Sequence, residues 1–173
     1  MGRIENLTEE ELTRSLAYVG LVLTAFELLK SMIVKPIKTF YQNVIFGEGM
    51  PFKSYDEDVL SRHKNEFEAC LLYLRDFMEA IDPEDVNAIQ ELRAHRNELA
   101  HDLVNKLHSL QIDDYAPLFD RVNTALFKLS NYRAYMEIGS DPEFQKLGID
   151  WDTLKGEEYL VFEDVLRKLK MFH

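Results

Sequence analysis

The sequence predicts an all-α protein, folded as an antiparallel bundle of about four to five helices. Apolar residues recur three and four positions apart over long stretches, and no segment shows convincing alternation with a period of two. Capping residues, prolines and glycines divide these stretches into long helices joined by short turns. The chain of 173 residues suits one domain with a single core. We therefore expect one helical domain over 1–173, with 140–173 as a less regular C-terminal extension.

The first predicted helix opens at Thr8, where Glu11 three residues later completes a capping box. It runs towards Val34, and Pro36 is expected to break or kink it. The stretch Leu16–Leu29 is apolar nearly all round, so this helix is expected to be the central and most buried one.

The second predicted helix covers roughly 57–80, and Asp82-Pro83 then provides an N-cap and a first helical residue for the third. The third continues to about Leu107. The second helix carries one apolar stripe, formed by Phe67, Leu71, Leu74, Met78 and Ile81.

A short polar connection over 109–114 precedes the fourth predicted helix, which ends at the turn 139–142. Its apolar stripe consists of Leu118, Val122, Ala125, Leu129, Tyr132 and Met136. A fifth helix is predicted near the C-terminus from Phe162, Val165, Leu169 and Phe172.

The balance of charges limits the class of partner. Lysine and arginine number 20 against 31 acidic residues, which gives a net charge of -11. An acidic protein repels nucleic acid at long range, so the charge balance argues against broad, non-specific binding to duplex DNA. A small basic pocket that holds a single phosphate remains compatible with this charge.

The cysteine count and the hydropathy pattern indicate the compartment. Cys70 is the only cysteine, so the chain has neither an internal disulfide nor a cysteine-based zinc site, and it is expected to be a packed thiol rather than a reactive one. The longest apolar run, Leu16–Phe26, is too short to span a bilayer. We therefore expect a cytoplasmic protein without a membrane partner.

The third predicted helix carries the polar residues of greatest interest. On a helical wheel its apolar residues Ile89, Leu92, Leu99, Leu103 and Leu107 form one stripe, with Arg96 in the middle of it. A guanidinium on an apolar stripe needs polar partners or an opening to solvent. A neighbouring face carries Arg93, Asn97, His101, Val104 and His108.

The string Arg96-Asn97-x-x-x-His101 resembles the signature of the HEPN superfamily, in which an arginine, usually followed by a polar residue, precedes a histidine by a few positions. The motif covers six residues, and at the level of fold the resemblance extends over roughly 8–138. It implies a helical bundle, often dimeric, and many members are metal-independent endoribonucleases of toxin–antitoxin and other defence systems. The resemblance thus implies a homodimer that acts on RNA without a cofactor.

The chemistry of RNA cleavage suits these residue types. Histidine is the side chain suited to general acid–base work at physiological pH, so His101 is predicted to transfer protons to and from the reacting oxygens. Arg96 stays charged and is predicted to stabilise the phosphate, with Asn97 assisting as a third catalytic residue. Arg93 and His108, on the same face, are predicted to bind the substrate.

Several alternatives remain open on sequence alone. Arg96 and His101 point about 140° apart on an ideal helix, so they meet only through the long arginine side chain, a local distortion or a second subunit. In a structural interpretation, Arg96 pairs with a buried carboxylate such as Glu27 and His101 is a solvated surface residue. A third possibility is a non-catalytic bundle that binds a nucleotide, an antitoxin or another protein.

The sequence patterns for a metal site are weaker than the pattern for an RNA-cleaving site. Glu98 and His101 form one Glu-x-x-His unit, but a di-iron bundle needs two, and the sequence has no second. The histidines of this segment (His95, His101 and His108) lack the His-x-x-x-His spacing of a zinc site. No metal ligands are therefore predicted.

Overall fold

A computed structural model describes residues 7–107, 110–139 and 141–172. Within these ranges the chain contains eight α-helices and no β-strand, which confirms the all-α prediction. The helices are α1 Glu9–Asn43, α2 Tyr55–Asp58, α3 Glu66–Asp76, α4 Pro83–His101, α5 Leu103–Lys106, α6 Ala116–Ile138, α7 Pro142–Gln145 and α8 Glu157–Lys170. Short 3₁₀ turns occur at Leu60–Arg62, Ile112–Tyr115 and Trp151–Thr153.

Helix α1 lies at the centre of the bundle and packs against α3, α4 and α8. The capping box is present, since Thr8 accepts a hydrogen bond from the Glu11 N–H at 3.1 Å and the Glu11 carboxylate accepts from the Thr8 N–H at 2.9 Å. The buried side chains of α1 include Tyr18, Val22, Ala25, Leu29 and Ile33. The prediction of a central, buried first helix is confirmed.

Of the two predicted effects of Pro36, a break or a kink, the break is wrong, because α1 continues through Pro36 to Asn43. Proline removes only one N–H from the helical ladder, and packing on both sides compensates for the loss. Ile33 and Ile37 are buried on either side of it. Beyond it, Phe40 packs against Phe52 with ring centroids 5.0 Å apart, which holds the last turns in place.

The second predicted helix is divided in the structure into α2, a 3₁₀ turn and α3. The N-cap missed in the sequence is Asn65, whose side chain accepts a hydrogen bond from the Glu68 N–H at 3.2 Å. Just before it, His63 adopts an extended backbone with φ of -160°. Of the predicted apolar stripe, four residues are buried and Met78 is half-buried.

Helix α4 begins as predicted, because the Asp82 carboxylate accepts hydrogen bonds from the N–H groups of Glu84 and Asp85. Its predicted end at Leu107 is wrong. The helix stops at His101, and Asp102 leaves the helical conformation with φ of -130° and ψ of 32°. The Asp102 carboxylate accepts from the Asn105 amide at 2.6 Å, a local bond that competes with helix continuation.

Helix α6 packs against α4 and α8, and α8 packs against both α1 and α6, so the C-terminal segment contributes to the core. The buried residues of α8 are Tyr159, Phe162, Leu166 and Leu169. Most of the predicted α6 stripe is buried, whereas Met136 is exposed near the end of the helix.

By length and composition, α1 is long and apolar enough to cross a membrane. Core helices of water-soluble proteins share this property, and 44% of the most apolar stretch of α1 is buried within the bundle. The length argument from Leu16–Phe26 alone therefore does not exclude a span.

Cys70, on α3, is fully buried, and burial raises the pKa of its thiol, so the expectation of a packed thiol is confirmed.

Candidate functional site

Arg96 lies where α4 packs against α1. Its guanidinium carbon lies 5.5 Å from the centroid of the Phe26 ring, an arrangement typical of a cation–π contact. One terminal nitrogen lies 3.2 Å from a Glu27 carboxylate oxygen, and the other donates to the Asn97 side-chain oxygen at 3.1 Å. The carboxylate that pairs with Arg96 is thus Glu27, as in the structural interpretation, although Glu27 is exposed rather than buried.

The hydrogen-bonding capacity of Arg96 is incompletely used. Its Nε atom is buried and has no hydrogen-bond partner among the described residues. The Glu27 side chain is 57% exposed, and an ion pair so open to solvent contributes only up to about 1 kcal/mol. An incoming phosphate oxygen can therefore replace the Glu27 carboxylate at low cost.

His101 is the last residue of α4 and is exposed to solvent. Its imidazole forms no hydrogen bond or ion pair with any residue that the structure describes. Asn97 lies one helical turn before it, and the side chains of residues four apart are neighbours on a helix. The imidazole is therefore free to contact a ligand on the surface of α4.

Arg96 and His101 lie five residues apart on α4, so their side chains leave the helix in directions about 140° apart. The distortion of α4 at Asp102 comes after His101, so it does not alter the angle between the two side chains. Asn97 instead connects them around the helix surface, because it contacts the Arg96 guanidinium on one side and precedes His101 by one turn. We call the surface formed by Arg96, Asn97 and His101 the α4 arc.

The guanidinium of Arg93, a predicted substrate-binding residue, is engaged in contacts within the fold. It forms an ion pair with Glu68 of α3 and lies 5.6 Å from the centroid of the Phe67 ring. Arg93 therefore joins α4 to α3 in this structure. The other predicted substrate-binding residue, His108, lies outside the described residues.

His95 is a residue whose setting was not anticipated from the sequence. It is only 4% exposed, its Nε2 lies 3.0 Å from the Tyr18 hydroxyl oxygen, and its ring stacks on Tyr115 at a centroid distance of 3.5 Å. Burial lowers the pKa of the imidazole to about 4, so it is neutral at physiological pH. The Nδ1 atom is buried and has no hydrogen-bond partner within the part of the chain that the structure describes.

A signal for His95 was present in the sequence. It lies three residues after Leu92 and four before Leu99, which are both buried, so it belongs to the apolar stripe. His95 lacks the spacing of a zinc ligand, but its position on the helical wheel indicates a buried histidine.

No group of three or more histidine, cysteine, aspartate or glutamate side chains suited to a metal ion is found within 7–107, 110–139 and 141–172. Comparison of the chain with known protein families, with curated proteins and with solved structures finds no match. The arguments for function therefore come from the residues themselves.

Proposed function

We propose that this chain is a HEPN-type helical bundle that cleaves RNA through the α4 arc, without a metal or another cofactor. The observation that supports the proposal most is the position of His101. Its exposed imidazole has no partner among the described residues, and it lies one turn after Asn97, whose side chain contacts a guanidinium at 3.1 Å. A proton-transfer group and a fixed cation thus occupy adjoining faces of one helix.

In the proposed reaction, the 2′-oxygen of a ribose attacks the adjacent phosphorus, and the bond from phosphorus to the 5′-oxygen breaks. His101 accepts the proton of the 2′-hydroxyl, and a protonated imidazole returns a proton to the leaving 5′-oxygen. Arg96 stabilises the negative charge that develops on the phosphate oxygens. Asn97 orients the guanidinium through the contact that it already makes.

RNA breakdown in the presence of EDTA tests the proposal directly. We expect purified protein to fragment total RNA at the same rate with and without the chelator, because Arg96 performs the electrostatic role of a metal ion. Fragments should end in a 2′,3′-cyclic phosphate, the product of attack by the 2′-oxygen. Intact RNA after prolonged incubation with a well-folded protein contradicts the catalytic proposal.

We further propose a homodimer in which two copies of α4 face each other. A single convex helix makes a poor pocket, whereas two facing arcs form a groove with two imidazoles, and two-fold dimers are the commonest oligomers. Three residues after His101, α5 carries Val104, which is 55% exposed although apolar. The core of a protein–protein interface is more apolar than its rim, so an exposed apolar side chain in this region supports an interface there.

Substitution of Val104 tests this arrangement. We expect the wild-type protein to be a dimer by light scattering, and Val104→Glu to raise the dissociation constant at least about tenfold, because two like charges meet across the axis. Val161→Glu is the matched control, since Val161 is also an exposed valine, 51% exposed, but lies on α8. A monomeric wild type, or equal loss of dimer in both variants, contradicts an interface at α4.

A second candidate function is favoured by the contact between Arg96 and Glu27. This ion pair, at 3.2 Å, joins α4 to α1 and can have a purely structural role. The chain would then be a non-catalytic bundle that binds a nucleotide or a protein such as an antitoxin. Cytoplasmic location is part of both proposals. The two functions predict different results when the ion pair between Arg96 and Glu27 is removed.

We expect Glu27→Gln to bind single-stranded RNA about two- to fivefold more tightly than the wild type, because it removes an exposed competing carboxylate worth at most about 1 kcal/mol. Fluorescence anisotropy with a labelled oligonucleotide measures the change. Glu9→Gln, the same change at another exposed glutamate of α1, is the control and should have no effect. Unaltered affinity in Glu27→Gln with a lowered melting temperature assigns Arg96 a structural role.

A further inference from the structure

His95 connects three elements of the fold inside the protein. It belongs to α4 and is only 4% exposed. Its Nε2 lies 3.0 Å from the hydroxyl oxygen of Tyr18 on α1. Its ring stacks on Tyr115, at the end of the 3₁₀ turn Ile112–Tyr115, with centroids 3.5 Å apart and planes inclined by 22°. One imidazole thus joins α4 both to the central helix and to this turn.

The surroundings of His95 suit a neutral ring and not a protonated one. An imidazolium carries N–H donors at both nitrogens, and Nδ1 is enclosed with no acceptor among the described residues. Both tyrosines that contact the ring are neutral, because burial raises the pKa of the Tyr18 and Tyr115 hydroxyls. The rings that pack on Tyr18 from α6 and from the C-terminal end, Phe119 and Phe172, are uncharged. A buried charge in such surroundings is strongly unfavourable.

The charged groups near His95 do not compensate for its burial. Burial is the largest influence on the imidazole and lowers its pKa to about 4. Glu98, on the same helix, acts in the opposite direction, whereas Lys106 of α5 adds to the lowering, and these two residues form an ion pair with each other. Asp114, in the turn, lies beside Tyr115 and raises the pKa of that hydroxyl. Protonation of His95 therefore requires that its ring reaches water.

The two contacts of His95 differ in how easily they separate. Tyr18 is fully buried in the central helix, whereas Tyr115 is half-buried and belongs to a short turn whose buried residue is Ile112. Helix α5, which precedes this turn and is described over its whole length, contains no buried residue. Segments with few buried apolar contacts open at a lower free energy than the core does. We call α5 together with the turn Ile112–Tyr115 the α5 corner.

We propose that protonation of His95 opens the α5 corner, so that at acidic pH α5 and the turn separate from α4 while α1, α3, α6 and α8 remain packed. Separation of Tyr115 uncovers one face of the imidazole and gives the charged ring access to water. The corner follows His101 in the chain and contains Val104, so opening also disrupts the proposed cleavage site and interface. That consequence rests on the proposed function, whereas the opening itself does not.

The direction of the pH dependence follows from the lowered pKa of His95. In the open form the ring is solvated and its pKa is that of a free histidine, about 6.5, against about 4 in the closed form. The closed form is therefore fully favoured above about pH 6.5 and loses this preference as the pH falls towards 4. The equilibrium constant for opening should rise about thirtyfold from about pH 7.5 to about pH 5.

Hydrogen exchange measured by mass spectrometry on the whole chain, without RNA, tests the opening. We expect the amide protection of 102–107 and 110–115 to fall about thirtyfold between about pH 7.5 and pH 5, after correction for the intrinsic pH dependence of exchange, while α3 retains its protection. Carboxylates ordinarily titrate below this range, so general acid unfolding does not contribute. Unchanged protection in the α5 corner, or an equal loss in α3, overturns the proposal.

Three variants assign the effect to one histidine. His95→Phe retains a ring against Tyr115 but cannot be protonated, so its α5 corner should have the same protection at both pH values. His63→Phe, the same change at an exposed histidine outside the corner, should retain the pH dependence of the wild type. His108→Phe should retain it as well, although His108 lies outside the described residues and is close in sequence. A pH dependence that persists in His95→Phe, or disappears in His108→Phe, overturns the assignment.

NMR of the histidine side chains in the wild-type protein provides a test that does not depend on the folding of His95→Phe. We expect the imidazole of His95 to titrate with a midpoint well below that of free histidine, and the amide signals of the α5 corner to change over the same pH range. Titration of His95 near pH 6.5, with the corner still protected, means that the closed form accepts the proton, and the proposal is then wrong. Neither measurement involves RNA, so failure of the proposed ribonuclease activity leaves this inference intact.

Discussion

His101→Ala should slow RNA cleavage by about a hundredfold to ten-thousandfold, because it removes the proposed proton-transfer group. Folding should be almost unchanged, within about 0.5 kcal/mol in the free energy of unfolding, since substitutions of exposed side chains without contacts cost little. His101 is exposed and is the last residue of its helix, so few native contacts depend on it.

The measurement combines single-turnover cleavage of a labelled RNA with thermal melting. His63→Ala is the matched control, because His63 is also an exposed histidine and lies far from α4 in the sequence. Added imidazole should restore part of the activity of His101→Ala, which a purely structural loss would not allow. Cleavage at the wild-type rate, or unfolding of His101→Ala, would show that the catalytic assignment is wrong.

Local signals in the sequence predicted the beginnings of α1 and α4 correctly. Thr8 with Glu11, and Asp82 with Pro83, are short-range capping patterns whose hydrogen bonds form within four residues, so no knowledge of the fold is needed. Helix ends were harder to predict. The continuation of α1 past Pro36 depends on aromatic packing with residues of a later loop, among them Phe52.

The site shows the same limit. A helical wheel placed Arg96 on the apolar stripe, and this unusual position indicated a partner on another helix, which the structure places at Glu27, 69 residues earlier in the chain. The burial of His95 depends on Tyr18, 77 residues before it. Contacts over such separations have no local pattern, so the wheel position of His95 indicates its burial but not its partner Tyr18.

The largest expected effect on stability comes from Leu99, which lies two residues before His101 on α4. Leu99 is 1% exposed, and Leu99→Ala should lower the free energy of unfolding by about 2–5 kcal/mol through lost burial and a residual cavity. That loss is a large share of the stability of a typical domain.

Leu103 provides the comparison within the same apolar stripe. The sequence predicted both leucines as core residues, but Leu103 follows the interruption at Asp102 and is only half-buried on α5. Leu103→Ala should therefore cost less, about 1–2 kcal/mol, in proportion to the smaller apolar area that it removes from water. Urea denaturation of both variants measures the difference. Equal costs for the two substitutions would mean that α4 and α5 form one continuous buried helix in solution, and His101 would then lie within a helix rather than at its end.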